Sequence, residues 1–81
     1  MKKITIYDLL PLLKKGWVAM DENVSWFWHE NKPKIEYDVD CGGIWSPHKG
    51  LSSEIPYCFN IAPFEGSWKD SLIKVEHKEE E

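Results

Sequence analysis

Tryptophans are the residues of this chain with the most unused chemical capacity. Trp17, Trp26, Trp28, Trp45 and Trp68 stand beside three Tyr and three Phe in only 81 residues. Each Trp buries about 150–250 Å² when packed, more than a core of this size needs five times over. An aromatic wall can stack a planar ring, at about 1–3 kcal/mol per nucleobase. Trp26, Trp28 and Trp45, with the ring of His48, are the stacking candidates. A nucleotide-like ligand also needs cations for phosphate, and Lys32, Lys34, Lys49 and Lys69 all fall in or near polar loops. The competing reading is structural: some Trp form the core, others fill an oligomer interface, and the lysines confer solubility.

Other chemistry is poorly supported. His29, His48, His77, Cys41 and Cys58 show neither C-x-x-C nor H-x₃₋₅-H spacing, so no metal site is expected. A Cys–His dyad can be drawn, but any small chain with two Cys and three His permits one. There is no G-x-S-x-G, no H-E-x-x-H and no phosphate-cradling loop, since Gly42-Gly43 lacks the following Lys and helix start. The expectation is a binding protein rather than an enzyme, without a cofactor. Two cysteines are too few for a disulfide framework; free thiols are expected ahead of a Cys41–Cys58 bridge or metal ligation.

The net charge of −4 is unevenly placed. Glu76, Glu79, Glu80 and Glu81 outweigh Lys78 at the end of the chain, which leaves residues 1–75 nearly neutral. The division expected is a single domain over 1–75 and an acidic disordered tail over 76–81. With no Arg and no Lys stripe, nucleic-acid binding is not expected. Nothing reaches 18 consecutive apolar residues, and the Met-Lys-Lys start lacks a secretory apolar run, so the expected location is the cytoplasm without a membrane partner.

These side chains have to be positioned by a modest set of elements. Thr5-Ile6-Tyr7-Asp8 has the form of a capping box. Ile6, Leu9, Leu10, Leu12 and Leu13 follow at helical spacing, predicting a short helix that ends at Lys15 before Gly16. Pro11 is tolerated if Asp8 is the cap and kinks the helix if Thr5 is. Trp17–Met20 and Val24–His29 read as a hairpin around Asp21-Glu22-Asn23. In the second strand Trp26 and Trp28 share one face and Phe27 and His29 the other. Either both faces are covered, or one is an exposed aromatic platform.

Ile35, Tyr37 and Val39 alternate with Glu36 and Asp38, the cleanest amphipathic strand in the chain. Gly43 permits a bulge or a close backbone approach, and Ile44-Trp45 leads into the loop Ser46–Gly50. Residues 51–56 are weakly patterned, 57–61 read as a strand, and Trp68–Val75 carries a last apolar alternation. The fold class expected is α+β: one N-terminal helix packed on a small antiparallel β-sheet of about four to five strands.

The order Ile6-Tyr7-Asp8-Leu9-Leu10, Leu13-Lys14-Lys15-Gly16-Trp17-Val18-Ala19-Met20 resembles the opening of small phage and prophage proteins. Gly43-Ile44-Trp45-Ser46-Pro47 and Trp68-Lys69-Asp70-Ser71-Leu72-Ile73-Lys74-Val75 are in the same style. Among them the chain is most similar to the phage anti-Thoeris sponge proteins. It departs from their Arg-x-x-Trp element, where it reads Met20-Asp21-Glu22-Asn23. The resemblance implies a homo-oligomeric anti-defence protein of the host bacterial cytoplasm that sequesters a nucleotide-derived signal. In that reading Trp26, Trp28 or Trp45 stacks the base, and Lys32, Lys34 or Lys49 neutralises phosphate. The rival expectation is a protein-interaction inhibitor that binds a host defence protein through an exposed aromatic patch.

Overall fold

The computed structural model describes residues 4–40, 42–47, 49–56 and 59–76. Cys41, His48, Cys58 and the end of the acidic tail therefore lie outside the described residues. The fold is α+β, with a short N-terminal helix, a four-stranded antiparallel sheet and a two-stranded hairpin.

The N-terminal helix, α1, spans Ile6–Leu9 and tightens into a 3₁₀ turn over Leu10–Leu12. Thr5 is its cap, and the Asp8 carboxylate accepts the Thr5 backbone N–H at 2.9 Å. The expected continuation to Lys15 does not occur. Pro11 has no N–H to donate and cannot extend an α-helix begun at Thr5, so the chain leaves helical geometry at Leu13.

Strands β1 (Gly16–Met20) and β2 (Trp26–His29) form the predicted hairpin, with Val18 opposite Trp28 and Met20 opposite Trp26. β2 starts two residues later than the alternation suggested because Val24 adopts φ 63° within the turn. β3 (Lys34–Asp38) and β4 (Gly42–Ser46) make the separate two-stranded hairpin. β5 (Ser52–Glu54) and β6 (Ile73–Val75) flank the larger sheet, whose order is β5-β2-β1-β6.

Two expectations fail here. The strand expected over 57–61 begins outside the described residues. In its described part, Asn60 takes φ 56° and Ile61 makes only an isolated parallel bridge to Ile4. The polar segment before it supplies β5 instead. The amphipathic strand around Ile35 does form, but both its faces are exposed, Tyr37 being 66% exposed. Its alternation marks a strand without a buried side.

Both faces of β2 are covered, which decides between the two readings of its sequence. On one face Trp26, Val18 and Met20 pack with Ile6, Ile55 and Val75, and Leu9, Leu10 and Leu13 lie against this cluster. On the other, Ala19 and His29 are fully buried, and Ile44, Trp45 and Pro47 approach Phe27 and His29 across a cleft.

The small hairpin is tied on at the β4 edge. Glu22 N–H donates to the Gly43 carbonyl at 3.0 Å, and Gly43 N–H donates to Glu22 Oε1 at 2.7 Å. Trp45 N–H donates to Asp21 Oδ1 at 2.8 Å. The Trp68 ring occupies the place where a side chain on Gly43 would stand, so the close approach read from that glycine is made by an indole ring.

Candidate functional site

The sequence-predicted site residues do not converge. Trp26 is 3% exposed, packed in the core, and donates its indole N–H to the Ala62 carbonyl at 3.4 Å. Trp45 is also buried, its ring edge-on to that of Trp68 with centroids 6.4 Å apart, and its indole N–H donates to the Trp68 carbonyl. Lys32 sits over the Trp17 ring at 5.6 Å, with Lys74 over the same ring at 5.7 Å. Lys34 opens the exposed β3, opposite Ser46. Lys49 is in a surface loop where its carbonyl accepts from Asn31, and His48 lies outside the described residues.

Trp28 is the exception. Its indole N–H donates to the Lys14 carbonyl at 3.0 Å, which fixes the ring at the mouth of a groove of about 690 Å³ between α1 and β5. Leu9, Leu12 and Leu13 line one side, and Leu51, Ile55 and Phe59 the other. Leu12 is 78% exposed and Leu51 71% exposed. Lys14, Lys15, Glu30 and Glu54 are the charged residues among its lining groups. Isolated exposed leucines are ordinary, but several around one concavity mark a contact surface.

No known protein family, characterised protein or solved structure matches this chain. The site therefore has to be read from its own geometry.

β5 adds a second property to the groove. Ile55 N–H donates to the Trp26 carbonyl at 2.9 Å, and Glu30 N–H to the Leu51 carbonyl at 2.8 Å. Ser53 pairs with Trp28 in the same phase of the ladder. The alternation of an antiparallel ladder then turns the N–H and C=O groups of Ser52 and Glu54 outward. β5 is an edge strand of the sheet, so these groups form an open template along the strand whose Ser53, Glu54 and Ile55 line the groove.

Sequence reasoning missed this site for a local reason. Leu12 fits the apolar helical face, but the 3₁₀ turn at Pro11 rotates it out to solvent. β5 itself, Ser-Ser-Glu, carries no alternation; the available signal was its apolar flanks, Leu51 and Ile55.

Two titratable groups lie on the opposite face of the sheet. Burial raises the Asp21 pKa above its ordinary 3.8; the Trp45 N–H opposes that shift, and the nearby Glu54 charge adds to it. Burial lowers the His29 pKa below its ordinary 6.5. Among the described residues no group of three His, Cys, Asp or Glu side chains is arranged to hold a metal. No helix among them is long and apolar enough to cross a membrane.

Proposed function

We propose that this protein is a small, non-catalytic interaction module that holds an extended apolar segment of a partner protein in the groove beside β5. The observation that carries the reading is the coincidence of an apolar groove with the outward N–H and C=O groups of Ser52 and Glu54. Strand addition uses both: main-chain hydrogen bonds supply affinity, and alternate side chains enter the pocket. The resemblance to phage anti-defence proteins points to a host defence protein in the bacterial cytoplasm as the partner.

The test begins with affinity capture from bacterial lysate. It continues with hydrogen exchange of the complex formed with the identified partner or a peptide from it. Slowed exchange at the Ser52 and Glu54 amides, and loss of binding in Leu51→Glu, are expected. Binding that survives Leu51→Glu with unprotected β5 amides refutes the reading.

A second reading has a specific observation behind it. Lys14, Lys15 and Trp28 line the same groove, a cation pair and an aromatic ring suited to a nucleotide-derived ligand, with a second copy of the chain closing the pocket. Linear and cyclic nucleotides distinguish it in a thermal-shift series with the solution mass recorded. Ligand at 100 times its Kd adds about 2.7 kcal/mol, a rise of many degrees for so small a domain.

A further inference from the structure

The face of the sheet opposite the groove carries a separate feature. His29 is 1% exposed, yet neither Nδ1 nor Nε2 has a hydrogen-bond partner among the described residues. Leaving buried polar atoms unpaired is costly, and native proteins rarely do so without cause. His29 lines a cleft of about 380 Å³ between β2, β5 and β4, within the size range of small-molecule sites. Phe27 and Trp45 give this cleft aromatic walls, and Asp21 and Glu54 bring two carboxylates to it. No lysine is among its described lining residues.

We propose that this cleft is a binding site for a small planar ring bearing an amidine-type N–H edge. The ring lies between Phe27 and Trp45, and its N–H groups meet the Glu54 carboxylate and the acceptor nitrogen of His29. Each feature excludes an alternative. The carboxylates repel phosphates and carboxylic acids, whereas a donor-rich ring answers both their charge and the unpaired imidazole. The aromatic walls favour a flat ligand over an aliphatic ammonium. Neutral His29 offers one donor and one acceptor on diverging edges of its ring, so a single ligand edge meets one of them, and an N–H donor answers the acceptor nitrogen. Asp21 is committed to Trp45 through Oδ1, which leaves Glu54 as the principal charged partner.

The experiment is an NMR titration of the intact chain with benzamidine, adenine and cytosine, with benzoate as the charge-reversed control. It follows the His29 Cε1–H and the Trp45 indole N–H. Saturable shifts of both signals are expected with at least one N–H-bearing probe and none with benzoate. A response to benzamidine alone assigns an amidinium ligand, and a response to the bases assigns a nucleobase. Glu54→Gln should weaken binding by about tenfold or more, the loss of one charge-assisted hydrogen bond. His29→Phe should remove it while the remaining spectrum stays folded. The proposal is overturned if no N–H-bearing probe shifts these signals, if benzoate shifts them equally, or if Glu54→Gln binds as tightly as the parent chain.

Discussion

At the scale of single residues, the side chains that look chemically available and those that matter structurally are different sets. Asp21 appears in the sequence as one of two acids in a turn, yet its carboxylate holds the buried Trp45 N–H. Asp21→Ala should cost about 1–3 kcal/mol, because that N–H would be stranded without water. Asp21→Asn keeps an acceptor and removes a charge that burial disfavours, so its stability should equal or exceed the parent's at pH 7. Urea denaturation of the two variants separates the roles; equal losses would mean that the charge itself holds the loop. Ser71 plays a comparable part. Its hydroxyl accepts the Met20 N–H at 2.8 Å and lies 3.1 Å from the Met20 carbonyl, two positions beyond the last β1–β6 pair in the same register. Nothing in the sequence distinguishes this serine from its neighbours, since its role depends on a partner 51 residues away.

At the scale of elements, the main hairpin and the capping box were legible because alternation, turn residues and caps are local signals. β5 was not, because an edge strand of Ser, Ser and Glu has no periodicity to read. The Trp26-Phe27-Trp28 segment was ambiguous for another reason: alternation reports that both faces are apolar, and only topology says what covers each. Here α1 covers one, and β4 with its following loop approaches the other. The edge position of β5 yields a sharp prediction. The Ser52 N–H points away from β2, so Ser52→Pro removes an outward donor without breaking a ladder bond, a placement that edge strands tolerate. Its thermal midpoint should stay within a few degrees of the parent's, while capture of a strand-adding partner is lost. Undiminished capture by this variant would locate binding in the groove walls alone. Gly43→Ala probes the other attachment, since a methyl there displaces the Trp68 ring. A loss of about 1–3 kcal/mol is expected from overpacking, with altered near-ultraviolet circular dichroism from Trp68 and Trp45.

At the scale of the whole molecule, burying His29 and Asp21 on one face gives stability an unusual dependence on pH. His29 has a folded pKa below 6.5, so the unfolded chain binds its proton first as the solution is acidified. Its contribution is complete above 6.5 and is lost as pH falls from there through the folded pKa. Asp21 behaves oppositely. Its folded pKa lies above 3.8, so the folded chain takes up that proton first, and stability is gained as pH falls from the folded pKa towards 3.8. Acidification should therefore weaken the fold below about pH 6.5, with Asp21 opposing the decline at lower pH. His29→Phe should flatten the upper part of this profile, and Asp21→Asn should remove the opposing term. Denaturant midpoints measured between pH 4 and 8 on the parent and both variants resolve the two contributions. A parent whose midpoint is constant across pH 5–7 would mean that His29 is protonated as readily in the fold as in the unfolded chain. The unpaired imidazole would then be reached by solvent, and the cleft would lose the feature that marks it as a ligand site.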